Sequence, residues 1–132
     1  MKRILRAFIT ICLLIPVLSC AQNNKQFAGK AEYHKISAEE AKKMLDENPQ
    51  ARLLDVRSES EYKEKHIVGA TLFPLPEIES KATTVLPDKS ALILVYCRSG
   101  VRSNNAANLL VSMGYTNVYD MGGINGWPYE TE

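Results

Sequence analysis

The chain has 132 residues, 45% of them hydrophobic and 23% charged, with a formal charge of +1, which bounds it to one folded domain plus a targeting segment. Its 16 basic and 15 acidic residues form no basic patch, which argues against nucleic acid as a partner. It holds three cysteines, and their placement is informative.

At the N-terminus, Lys2, Arg3 and Arg6 precede an apolar run over residues 7–18. A mature spanning helix needs about 20 apolar residues, so this shorter run behind a positive segment reads as a secretory signal peptide. It ends in Val17-Leu18-Ser19-Cys20, a small residue directly before a cysteine, which resembles the lipobox of bacterial lipoproteins. The resemblance implies cleavage before Cys20 and a diacylglycerol on its sulfur. The protein is then exported and anchored by lipid to a membrane of the bacterial cell envelope, facing the periplasm in a Gram-negative cell. An ordinary secreted protein cut near Cys20 is the alternative. The expected division is a signal peptide over residues 1–19, a lipidated flexible tether over 20–29 and a folded domain over 30–132. Removal of Lys2, Arg3 and Arg6 leaves 13 basic against 15 acidic residues, a net of about −2. Cys12 leaves with the signal and Cys20 carries lipid, so Cys97 remains as the free thiol. In an oxidising compartment such a cysteine is either buried and inert or reactive.

Further along, Ser37-Ala38-Glu39-Glu40 forms a capping box that opens a helix through Leu45, ending near Asn48-Pro49. Residues 52–56 read as a strand, and Ser58 caps a short polar helix holding Glu61 and Tyr62. Residues 70–73 give another short strand, and a helix is expected over 76–85. Residues 91–96, Ala-Leu-Ile-Leu-Val-Tyr, form an unbroken apolar run, the mark of a strand covered on both faces in a parallel sheet. A helix follows over 103–113 and stops at Gly114. Residues 118–121 give the last strand, and Gly122-Gly123 leads to a short terminal helix bearing Trp127. Strands alternating with helices predict an α/β fold: a mostly parallel central sheet with helices on both faces.

Directly after the apolar strand stands Cys97-Arg98-Ser99-Gly100-Val101-Arg102. Ligands of open α/β sheets bind beyond the carboxyl ends of the strands. The helix that follows offers unpaired N–H groups and partial positive charge, and Gly100 permits the turn a nest of N–H groups requires. Arg98 and Arg102 add formal charge. All of these favour thiolate over thiol, so Cys97 is expected to be a nucleophile with a lowered pKa. His34 and His66 have no cysteine or carboxylate at ligand spacing, so no metal site is expected, and no cofactor motif appears.

The loop from Cys97 to Ser103 resembles the active-site loop of the rhodanese family. Leu54-Asp55-Val56-Arg57, Glu61-Tyr62 and His66-Ile67-Val68-Gly69-Ala70 resemble that family's first signature, in order and spacing. Gly114-Tyr115, Val118, Met121-Gly122-Gly123-Ile124 and Trp127 resemble its C-terminal one. The likeness implies a single-domain sulfurtransferase of rhodanese-like fold. Cys97 would take sulfur from a small anionic donor such as thiosulfate and pass it to a thiol or cyanide. Backbone N–H groups from Arg98, Ser99, Gly100, Val101 and Arg102 would cradle the persulfide. The Arg98 and Arg102 side chains would attract the donor or brace the loop. Asp55 and Arg57, at a strand end, would pair, either as a structural ion pair or to brace the pocket; Glu61 and His66 could brace it from the neighbouring loop, with His66 reading as a structural histidine rather than a base. Trp127 reads as packing, and a monomer is expected. Two rivals stand beside this: a rhodanese-like module that binds a partner or senses oxidants through Cys97, and a cysteine phosphatase or arsenate reductase. The latter enzymes resemble the loop but carry five residues between cysteine and arginine, where this chain has four.

Overall fold

In the computed structural model, which describes residues 32–132, two serines start helices by the same reciprocal contact. Ser37 Oγ accepts the Glu40 N–H at 3.1 Å while the Ser37 N–H donates to Glu40 at 2.7 Å, and α1 runs on over Ala38–Glu47. Ser58 and Glu61 repeat the box at the start of α2, Glu59–Glu64. Each box satisfies backbone N–H groups that the first helical turn leaves unpaired. The expected signal peptide, Cys20 and the tether lie outside the described residues.

Five strands form one sheet: β1 (His34–Lys35), β2 (Arg52–Asp55), β3 (Thr71–Leu72), β4 (Ile93–Cys97) and β5 (Val118–Gly123). All neighbours pair in parallel, in the order β1-β5-β4-β2-β3. Two further helices, α3 (Ile78–Val85) and α4 (Val101–Ser112), complete the frame. Successive strand residues face opposite ways. Leu54, Ile93 and Val95 therefore pack against Ile78 and Ala82 of α3 and Ala106, Ala107 and Leu110 of α4. Leu53, Leu94 and Tyr96 face the other side, with Ala41 of α1, Ile67 and Ile124. All five residues of β4 are buried, as its apolar run implied. From β2 the chain steps outward to β3, then returns to β4 and continues the other way to β5. Such a change of direction opens a crevice beyond the strand ends. Cys97 ends one of the two strands beside it and Asp55 the other.

Several boundaries differ from the sequence expectation, each for a local reason. β1 is a two-residue edge strand with both residues exposed, so no apolar pattern announced it. β4 begins at Ile93 because Asp88 ties residues 88–91 into a turn, accepting from the Ser90 N–H at 2.8 Å. Pro76 stands in a 3-10 turn, Leu75–Glu77, and the α-helix opens only at Ile78. α4 opens at Val101, which makes Gly100 its N-cap. The terminal helix is a single 3-10 turn, Ile124–Gly126, and Trp127 lies just beyond it.

Tyr115 is fully buried, and its hydroxyl proton is shared between the Leu86 carbonyl at 2.6 Å and the Ala82 carbonyl at 2.9 Å, tying the end of α3 to the segment after α4. Tyr115→Phe leaves the buried Leu86 carbonyl without this donor. Urea unfolding should show a loss of about 1–3 kcal/mol, and a change within error would mean the bond contributes nothing net.

Candidate active site

Cys97 closes β4 at the crest of the sheet and is 1% exposed. The chain then turns sharply. Gly100 sits at φ +111°, in the left-handed region that glycine reaches without strain. That turn points the Gly100 N–H back at the Cys97 Sγ, 3.0 Å away. α4 starts at once, so its first-turn residue Ser103 faces the same sulfur, its hydroxyl 3.6 Å from Sγ. The Ser103 hydroxyl also lies 3.1 Å from the Gly100 carbonyl and 3.3 Å from that of Gly122, which hold it in place. Burial pushes the Cys97 thiol up. Hydrogen bonds from Ser103 and from the Gly100 and Ser99 backbone outweigh it, and the thiol lies below its ordinary value. A charged sulfur at the mouth of a helix is favoured further by the helix dipole.

The three arginines nearby are employed differently. Arg57 is buried against Asp55, donating through Nε at 2.9 Å and Nη2 at 2.6 Å, and Nη2 also reaches the Lys65 carbonyl at 2.7 Å. Asp55, fully buried, accepts in addition from the Arg57 N–H at 3.0 Å and the Tyr96 hydroxyl at 2.8 Å. Tyr96 in turn accepts the Ile67 N–H at 3.1 Å. Burial opposes the Arg57 charge, but the Asp55 carboxylate overrides it and raises the guanidinium pKa. Burial pushes the Tyr96 phenol well above its usual range, so it stays a donor. The pair expected from Asp55 and Arg57 is thus present, as a bracket under the crest.

Arg102 reaches away from the loop to Glu61, donating at 2.7 and 2.8 Å in a two-pronged pair. This contact holds the Glu61 carboxyl far below the usual carboxylate range and raises Arg102. Glu61 also accepts the Ser58 N–H, so one carboxylate caps α2 and clamps it to α4. Arg98 is exposed and makes no side-chain hydrogen bond or ion pair among the described residues. It borders a polar cleft of about 240 Å³, shared with Arg57, Glu61 and Asn125. Val101, the first residue of α4, is 69% exposed, and the N–H groups that lower the thiol are those of Ser99, Gly100 and Ser103.

His66 does not join the loop. Its ring stacks on Tyr62 with centroids 3.7 Å apart, Nδ1 lies 2.9 Å from the Tyr62 carbonyl, and Nε2 lies 3.3 Å from Glu132. Trp127 is half-buried, meets Tyr129 edge-on at 4.9 Å and packs on the core face that holds Ala41. Two contacts escaped the sequence: the Ser103 hydroxyl on the sulfur and the choice of Glu61 as the partner of Arg102. The first was findable, since a residue in the first turn of a helix that begins at Val101 faces the strand end. The second joins residues 41 positions apart with no pattern between them.

Residues 37–130 match the rhodanese-like domain family. Among curated proteins, the chain is 39% identical to the thiosulfate sulfurtransferase PspE of Escherichia coli, over 54% of this chain and 68% of that protein. It is 34% identical to the thiosulfate sulfurtransferase GlpE of Tolumonas auensis, over 74% of this chain and 90% of that protein. Among solved structures, a rhodanese with anions from E. coli superposes with a TM-score of 0.59 at 34% identity, covering 62% of this chain and 96% of that one.

The cradle around Cys97 has a titration consequence. A thiol below its ordinary pKa of about 8.5 gives the folded state extra stability at pH above that value, lost as pH falls through the folded-state pKa. Alkylation of Cys97 by iodoacetamide should therefore rise with a midpoint below that of a free thiol. Ser103→Ala should move the midpoint upward. A wild-type midpoint at or above the ordinary value would contradict the hydrogen-bonded thiolate.

Proposed function

The chain belongs to the rhodanese-like family, and from that premise we propose that it is a sulfurtransferase that carries sulfur as a persulfide on Cys97. The observation that carries this reading is the sulfur itself: a lowered thiol at a strand end, 3.0 Å from the Gly100 N–H and held by Ser103. In the first half-reaction the Cys97 thiolate attacks the outer sulfur of a thiosulfate-type donor. A Cys97–sulfur bond forms, the donor's sulfur–sulfur bond breaks, and sulfite leaves with the electron pair. In the second, cyanide or a thiolate attacks the terminal sulfur, and Cys97 departs as thiolate. The hydrogen bonds that lower the Cys97 thiol favour its ionised form, so the first half needs no dedicated general base, and in the second the acceptor arrives as an anion.

The persulfide is an anion one atom further out than the thiolate, and the backbone N–H groups of Ser99 and Gly100 supply preorganised donors for it. Arg98, the uncommitted charge at the rim, draws the anionic donor. A sulfur on a residue only 1% exposed fits a compact donor. The loop also argues against the phosphatase alternative. Only four residues separate Cys97 from Arg102, and that guanidinium is engaged by Glu61 rather than turned over the loop to hold a tetrahedral oxyanion.

With thiosulfate and cyanide supplied together, the protein should release thiocyanate with ping-pong kinetics, and Cys97→Ser should abolish it. A fully active Cys97→Ser variant, or a wild type silent with every sulfane donor tried, would sink the reading.

A further inference from the structure

β5 reaches Cys97 through a bulge. Val95 pairs with Asp120 and Cys97 with Gly123, so β5 carries one extra residue between the two pairs. Gly122 absorbs it at φ +80°, and the Asp120 carboxylate accepts the Gly122 N–H at 2.9 Å. Gly123 comes next, at φ −116° and ψ 149°, ordinary extended backbone that any residue adopts. Its identity is therefore not fixed by conformation. It is fixed by space: a Cβ at this position would lie 2.1 Å from the Arg98 carbonyl oxygen and 2.8 Å from the Ser99 Cα. Both obstacles are backbone, and no rotamer change clears them. Two residues on, the Asn125 N–H donates to the same Arg98 carbonyl at 3.3 Å.

We propose that Gly123 is a positioning residue for the Cys97 sulfur: its bare α-carbon lets the Arg98–Ser99 backbone seat against the end of β5, and that seating aims the Gly100 N–H at Sγ. The chemistry of the loop is then shared between two places in the chain. The donors come from the turn after β4, and the surface that holds the turn in shape comes from β5. A methyl at position 123 forces the loop outward by about 1 Å, the gap between the close approach and an ordinary carbon–oxygen contact. A displacement of that size at a reacting centre costs about 10²-fold in rate.

The inference rests on the sulfurtransferase reading only for one of its two readouts. The first is the pH profile of Cys97 alkylation, and the second is thiocyanate release from thiosulfate and cyanide. Gly123→Ala should shift the alkylation midpoint upward and slow turnover by about 10²-fold, while retaining a cooperative unfolding transition. Gly126→Ala is the control, because open space surrounds its Cβ position, and it should change neither readout. If Gly123→Ala does not fold, Asn125→Pro carries the test. It deletes the neighbouring hydrogen bond to the Arg98 carbonyl and puts a proline at the second position of a 3-10 turn, the place Pro76 already occupies in Leu75–Glu77. It should shift the midpoint in the same direction. An unmoved midpoint with turnover within about twofold of wild type, in whichever variant folds, overturns the assignment. A wild type that yields no thiocyanate, beside a variant whose midpoint rises, would refute the sulfurtransferase reading and leave the positioning role standing.

Discussion

The need to favour negative charge on a single sulfur, held where almost no water reaches, is the constraint that the rest of the crest serves. An ion withdrawn from water costs several kcal/mol unless fixed dipoles replace the solvent. Here the replacement is local: the N–H groups of Ser99 and Gly100, and Ser103 with its hydroxyl. These groups converge because Gly100 turns left-handed and α4 begins at the next residue. Donors already in place require no reorganisation when charge arrives, which is the condition under which they help a reaction most.

Around that sulfur the formal charges are neutralised in pairs, and the pairing does mechanical work. Arg57 is buried on Asp55 beneath the crest, and Tyr96 and Lys65 complete the bracket. Arg102 is drawn to Glu61, which ties the short helix α2 to the helix that follows the loop. Had both arginines faced the sulfur, they would have competed with the backbone donors for it. What is left is Arg98, exposed at the rim, where a positive charge attracts anions without distorting the cradle. Division of labour among three chemically identical side chains is set by which carboxylates the β2 end and α2 present to them.

Much of this was legible in the sequence, and the parts that were not share a cause. The two capping boxes, the buried run ending at Cys97 and the glycine two residues before Arg102 are local signals, and each marked a real feature. The edge strand β1 had no apolar residue to betray it. The start of β4 was obscured because Ala91 and Leu92 are apolar yet precede it, Ala91 in a turn governed by Asp88. Glu61 with Arg102, and Gly123 against Arg98, are contacts between segments far apart in the chain. A motif shows which residues are present, but only the sheet order, which lays β5 beside β4, shows that a glycine in one strand shapes the loop after the other.

The most direct measurement is intact mass of the folded domain after exposure to thiosulfate with no acceptor present, followed by peptide mapping. The proposed sulfur transfer predicts a gain of one sulfur atom, located on Cys97 and discharged when cyanide is added. A protein whose mass does not change, or whose added sulfur maps elsewhere, would contradict the central role given to Cys97.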